Sequence, residues 1–535
     1  MTRVVDSGVL AALLLGMAAF AVYLPSLLSD FVYDARKEML EEGFVTSLAN
    51  LPAVLSLKVL NMDLMLASRP GEMVYLMGNA AVWGKDPFGY HLSSNLLHAA
   101  NVALLFGLVL RLVRSEVGEL AGGVKAQVVA AVATLIFALH PMAVESVAEV
   151  SYSSSLLVTL FALGALWAAT FFRAEDFRVV LLAGGVGVFC ALAATTCKES
   201  GLAVAPVLLV YWLLFRRGEA MGPWVSFLGA ALGVSVAFLT LRFLYPPPGL
   251  DHLDYLGGSL PGVFREQPRL WVFMMGKLVW PVGLSADYTM ADVVGLSSGM
   301  ALTVLAGVVA LQGWLAARSR LGALGVAVYW LGLATVSNFV PLLHVTADRY
   351  YYLPLVGVAM QVAAVLLMTI RRGGVVWIGV LTVLVALGPL TWLTLERESV
   401  FASNLALWSD TVAASPQSET AHYGVGRALL EKGRTEEAIG ELRKAIKLKP
   451  DDYEARNNLG VALVGKGETE AGIAEFEKTL ALNPGSAQAH YNLGVTYFQE
   501  GAMEKARGEF EATLRLKPDD GDARGYLEKM RAVGK

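Results

Sequence analysis

Asp34 closes the stretch Ser29-Asp30-Phe31-Val32-Tyr33-Asp34, directly after a long apolar run at 7–28. A carboxylate placed there sits at a membrane surface, partly desolvated, where it can serve as a general base toward a hydroxyl. It can equally be an interfacial acid that ends a helix. Asp30 and Glu38 are weaker candidates of the same kind. A second acid, Glu145, follows in His140-Pro141-Met142-Ala143-Val144-Glu145. Two acids on one face can divide the roles of base and ligand holder, or Glu145 can cap the helix that starts after Pro141. Cations come next: Arg69, Lys198 in Lys198-Glu199, and Arg349 in Asp348-Arg349-Tyr350. Such cations suit an anionic phosphate, which an Arg fork binds in a bidentate manner. Glu199 and Asp348 could instead simply pair with them.

His91, Asn95, His98 and Asn101 recur every three or four residues and share one helix face. A polar stripe on an apolar helix faces protein or a cavity. Two histidines seven residues apart make a poor metal site, so hydrogen bonding between helices is the expected role. His91, His140, Glu199 and Tyr350 are kept as pocket candidates. There is no Walker loop, no Gly-rich dinucleotide turn and no Gly-x-Ser-x-Gly elbow, so ATP-driven transport and serine hydrolysis lose support.

These residues need elements to hold them. Of the 535 residues, 56% are hydrophobic and 16% charged, with a mean hydropathy of +0.55. An ordinary soluble enzyme needs more surface charge than this. The net charge of −4 argues against a nucleic-acid partner. Charge is unevenly spread: 397–535 hold 41 charges in 139 positions, and 1–396 hold 47. The chain is a membrane body with a charged tail. The two cysteines, Cys190 and Cys197, lie too far apart on one helix for a disulfide.

Eleven apolar runs are expected to span: 7–28, 91–113, 126–139, 153–172, 179–196, 201–215, 223–244, 299–317, 322–341, 353–370 and 375–395. Arg111, Arg114, Lys125, Arg173, Arg178, Arg216, Arg217, Arg318, Arg320, Arg371 and Arg372 then fall on one side, the cytoplasmic one. This holds if 268–288 does not cross; if it crosses, there are twelve spans. The polar loops 30–90, 140–152, 197–200, 245–298 and 337–352 gather on the outer face.

In the tail, Pro416, Pro450, Pro484 and Pro518 are spaced by 34 residues. Gly426, Gly460 and Gly494 align, as do Leu442, Phe476 and Phe510. That is the tetratricopeptide period, with small residues for close helix packing and bulky ones to fill it. Such arrays present a surface to a peptide or protein.

In this order, the stretches 29–34, 69–101, 140–145, 197–199, 281–288 and 347–354 resemble the GT-C superfamily of polytopic glycosyltransferases. The resemblance is closest to the protein O-mannosyltransferase-like branch with tetratricopeptide tails, and covers nearly the whole chain. It implies a polyprenyl-phosphate sugar as donor and an active site on the outer face. It implies that Asp34 activates the acceptor hydroxyl, with Glu145 as the second-loop acid. It implies that Lys198 and Arg349 bind the donor phosphate, and Arg69 is kept as a further candidate for that role. Two departures stand out: related chains often carry adjacent acids where this one has Asp34-Ala35, and an Arg near Ser153-Ser154-Ser155.

The expected fold is all-α: a polytopic membrane domain at 1–396, a linker helix at 397–418, and a tetratricopeptide α-solenoid at 419–535 with repeats 419–452, 453–486 and 487–520 plus a capping helix. The expected function is inverting sugar transfer to a hydroxyl of a secreted or pilin-like protein recruited by the repeats. The alternative is a non-enzymatic scaffold whose repeats recruit proteins. The residues identify no certain cofactor, and a divalent metal is left open without being indicated. The absence of any Asn-x-Ser/Thr sequon suits a bacterial inner membrane with the repeats in the periplasm.

Overall fold

A computed structural model describes all residues except 1, 63, 65, 118–122, 174, 245–254, 294, 341, 343, 372–375, 534 and 535. Arg372, much of the loop after residue 244, and the last two residues of the expected capping helix therefore lie outside the described residues. The described chain is helical, with no strand among the described residues. It forms two compact units, Met1–Ser403 and Asn404–Lys535.

In the first unit, seven described helices are long and apolar enough to cross a membrane. Two bent pairs, Ser7–Val22 with Leu24–Leu40 and Lys125–Ala138 with Pro141–Ala148, raise the number to nine. Two shorter apolar helices, Glu199–Phe215 and Arg320–Ala334, complete the set. These elements coincide one for one with the eleven apolar runs of the sequence. The bends of 47° and 56° fall at Pro25 and Pro141, where a missing N–H and a fixed φ favour a new helix start. Leu182, Leu311 and Val385 are 72%, 65% and 67% exposed, which suits lipid and not water. The chain is thus a multi-pass membrane protein. The helix Leu260–Val279 carries Arg265, Glu266, Arg269 and Lys277 and is not among the candidate spans.

The helix Pro87–Val117 packs against Thr2–Val22, Gly123–Ala138 and Ser153–Phe171, and its polar stripe ties these neighbours together. Asn95 Nδ2 donates to the Tyr23 carbonyl at 2.7 Å, and Asn101 Nδ2 to the Leu156 carbonyl at 3.0 Å. His98 lies between the Tyr352 hydroxyl (2.7 Å) and the Ala138 carbonyl (3.2 Å). Nearby, a Cβ on Gly357 would meet the Gly325 carbonyl oxygen at 2.5 Å. The helices Arg320–Ala334 and Tyr352–Arg371 therefore touch backbone to backbone.

The second unit begins with the helix Asn404–Ala414, followed by the pairs Glu419–Glu431 with Thr435–Leu448, Tyr453–Lys466 with Thr469–Leu482, and Ala487–Gln499 with Met503–Leu516, then Gly521–Val533. Ser418, Asp452 and Ser486 cap the first helix of each pair by accepting a backbone N–H. A Cβ on Gly460 would lie 2.6 Å from the Phe476 ring, so the small and bulky positions of the 34-residue period do meet. The period carries a further device. His422, Arg456 and His490 each bond a Glu of the second helix (Glu441, Glu475, Glu509) and the carbonyl of Pro416, Pro450 or Pro484. Residues 397–418 do not form one linker helix: 397–400 end the helix Val376–Val400 and 404–414 form a helix of the second unit. Trp408 of that helix packs over Gly424.

Candidate functional site

The chain leaves the first bent span through Ser29 and reaches Tyr33, whose φ is +53°. A bulky side chain seldom adopts this left-handed region, which costs roughly 1–2 kcal/mol. The Tyr33 side chain is held: its hydroxyl lies 3.1 Å from His344 Nε2, and His344 Nδ1 lies 2.9 Å from Asp287 Oδ1. Asp34 follows, half-buried. Its Oδ2 accepts the Tyr152 hydroxyl at 2.9 Å. The next N–H, of Ala35, donates to Glu149 Oε1 at 3.0 Å. Glu149 is fully buried, and burial together with nearby Asp34 holds its carboxyl above the ordinary range.

Beside this acid lies a group of cations. Arg349 Cζ sits 4.0 Å over the Tyr152 ring and 5.3 Å from the Tyr350 ring. The guanidinium and the backbone N–H of Arg349 both bond Glu145. Lys198 is buried, and its Nζ donates to Ser155 Oγ at 2.8 Å. Among the described residues Lys198 makes no ion pair with a carboxylate. Burial, reinforced by Arg69 and Arg349, brings its ammonium down to about 7. Arg69 lies 3.6 Å from Glu72 and 3.7 Å from Glu199. Glu72 also accepts the Ser154 N–H at 2.9 Å. Burial raises its pKa, against the pull of Arg69.

A small apolar crevice of about 10 Å³ lies among Leu163, Leu166, Val204, Val207, Leu353 and Val356. Leu353 follows Arg349 by one turn and Val204 follows Lys198 by less than two.

The structure therefore brings together Asp34, Glu145, Lys198, Arg349, Arg69, Glu199 and Tyr350. The simple pairing of Lys198 and Arg349 with Glu199 and Asp348 is not what forms. Arg349 takes Glu145, Arg69 takes Glu199, and Asp348 accepts the Tyr288 hydroxyl (2.8 Å) and faces Arg397 (3.6 Å). Both Glu145 oxygens bond Arg349, one through the backbone N–H and one through the guanidinium. His140 is spent on structure, accepting the Met142 N–H and donating to the Leu278 carbonyl. His91 is buried against the backbone of Ser29 and Asp30. Sequence reasoning missed Glu72, Glu149, Tyr152, Asp287 and His344 as parts of the site. All five lie within the outer loops singled out for their polarity, and Glu72 and Asp287 also within stretches that carry the resemblance, but nothing local marked them out from their neighbours.

Residues 426–467 match the family TPR repeat, and residues 457–521 the family Tetratricopeptide repeat. Among solved structures the chain is similar to the first tetratricopeptide domain of Spaghetti bound to an HSP90 peptide (22% identity, 22% of this chain and 95% of that one, TM-score 0.22). It is also similar to MamA (26% identity, 24% of this chain and 72% of that one, TM-score 0.22). A protein O-mannosyl-transferase of Caenorhabditis elegans is 24% identical over 83% of this chain and 64% of its own length. One of Drosophila melanogaster is 26% identical over 72% of this chain and 49% of its own length. The chain thus spans between half and two thirds of the length of these curated relatives. Its similarity is to protein O-mannosyl-transferases, and its C-terminal unit is built of tetratricopeptide repeats.

Proposed function

We propose that this protein is a membrane glycosyltransferase that moves a sugar from a polyprenyl-phosphate donor to a hydroxyl of a protein. The observation that carries the reading is Lys198, a buried ammonium without a carboxylate partner among the described residues, set beside Arg349 and near Asp34. A cation so placed is best satisfied by an anion that arrives with a ligand. The relatives' names point to mannose and to a protein acceptor.

The step is a single displacement. Asp34 takes the proton of the acceptor hydroxyl as its oxygen attacks the anomeric carbon. The bond from that carbon to the phosphate oxygen breaks on the opposite face, so configuration inverts. Lys198 and Arg349 stabilise the charge that develops on the leaving lipid phosphate. Glu145 holds Arg349 in place, and Arg69 with Glu199 and Glu72 flanks the site. No metal takes part in this scheme. The repeats bring a secreted or pilin-like acceptor to the site, on the periplasmic side of a bacterial inner membrane.

The test uses the full chain in lipid, a polyprenyl-phosphate mannose and periplasmic proteins. Wild type transfers sugar and Asp34→Asn does not. Equal transfer by both overturns the mechanism. If instead removal of 404–535 abolishes the cellular function while Asp34→Asn leaves it intact, the protein is a scaffold.

A further inference from the structure

The geometry points to Tyr33, His344 and Asp287 as a positioning chain that sets the direction of the Asp34 carboxylate. The inference rests on the reading of Asp34 as the proton acceptor and adds three residues that touch neither sugar nor phosphate in that scheme.

Asp287 and His344 are both buried. A carboxylate 2.9 Å from His344 Nδ1 fixes the proton on that nitrogen, which leaves Nε2 as an acceptor. The Tyr33 hydroxyl, 3.1 Å away, then donates to it. The three residues come from three separate outer loops, so the chain of bonds ties those loops to one backbone position. That position is the left-handed one, φ +53°. A tyrosine does not rest there without a restraint on its side chain.

The peptide that joins Tyr33 to Asp34 takes its plane from the Tyr33 torsions. On the far side, Asp34 is already held by the Tyr152 hydroxyl and through the bond from Ala35 N–H to Glu149. Tyr33 supplies the matching restraint on the near side. Released from His344, Tyr33 relaxes to an ordinary φ, and the carboxylate swings off the Tyr152 hydroxyl. The charged groups around Tyr33 are Asp34, Arg349, Asp287 and Glu145.

The test pairs hydrogen exchange with the transfer assay, on the full chain in lipid. Tyr33→Phe and His344→Leu break the chain; His344→Gln keeps a carbonyl acceptor for the Tyr33 hydroxyl. In the first two, amides of residues 30–36 exchange faster. Their kcat falls by up to about 100-fold, the scale of a misplaced catalytic group. KM for the donor stays within about twofold, because Lys198 and Arg349 are untouched. His344→Gln recovers most of the loss in both readouts. Unchanged exchange in Tyr33→Phe and His344→Leu overturns the inference, as does a His344→Gln variant as poor as His344→Leu. If Asp34→Asn transfers sugar as well as wild type, the base reading has failed on its own. The exchange data then decide alone whether the chain holds this turn.

Discussion

The guanidinium of Arg349 lies 4.0 Å over the ring of Tyr152, whose hydroxyl donates at 2.9 Å to Asp34. One aromatic ring thus connects the cation proposed to receive the leaving phosphate with the carboxylate proposed to receive the proton. Any shift of that ring is felt at both ends of the reaction.

Tyr152→Phe keeps the ring under Arg349 and removes the bond to Asp34. A hydrogen bond to a charged group is worth about 1.5–3 kcal/mol, so transfer is expected to slow by roughly 10- to 100-fold. Tyr152→Leu, which removes the ring as well, is expected to lose more. Turnover rates for the two variants against wild type check this. A Phe variant at full rate would detach Asp34 from the ring.

Donor binding is expected to depend on pH through Lys198. Its ammonium is brought down to about 7 in the free protein. A bound phosphodiester raises it, so binding takes up a proton. The affinity is then greatest below pH 7 and weakens as pH rises above it, by up to about tenfold per unit until the bound-state value is passed. Donor Kd measured from pH 6 to 9 reads this slope, and Lys198→Arg is expected to flatten it. A wild-type curve as flat as that of the variant counts against the assignment.

Glu145→Ala strips the partner from Arg349, which is 5% exposed. Breaking a buried pair from one side costs about 3–5 kcal/mol. The membrane unit is expected to unfold at a clearly lower temperature and to lose activity. Glu145→Gln, which still accepts the Arg349 N–H, is expected to lose less of both. Thermal unfolding in detergent measures the difference.

In the repeats, Gly460→Ala sets a methyl against the Phe476 ring, where a Cβ would lie 2.6 Å away. Overpacking of this kind costs about 1–3 kcal/mol. Gly440→Ala adds the same methyl where nothing lies within 4 Å, and helix propensity there favours Ala by up to about 1 kcal/mol. Urea midpoints of the repeat unit are expected to move in opposite directions for the two.

The fold was legible because its signals are periodic. Eleven apolar runs and a 34-residue proline spacing each repeat a pattern that lipid or a neighbouring helix demands. The site was legible in part, where a charged residue stood alone in an apolar setting: Asp34, Lys198 and Arg349 needed no partner to be noticed. Pairings were not legible. Glu145 and Arg349 lie 204 positions apart, and nothing local distinguishes Glu145 from Asp348 as the partner of Arg349. Tyr152 and Glu149 passed as neighbours of a motif because a tyrosine at a membrane interface is ordinary and an isolated glutamate gives no sign of being buried. The φ of Tyr33 has no sequence signature, for Gly or Asn would have announced such a turn and Tyr does not.

The contact of Gly325 with Gly357 bears on how the proposed reaction renews itself. Two helices that meet backbone to backbone have no side-chain layer in which to slide. The helix that follows Arg349 is therefore pinned to its neighbour, and the end of the site proposed to bind phosphate stays where it is between turnovers. Spent lipid must then leave, and fresh donor arrive, by drifting sideways within the bilayer. The quantity that saturates such an enzyme with donor is the number of donor molecules per unit area of membrane, and with acceptor held saturating, diluting the sample with buffer would leave its rate unchanged.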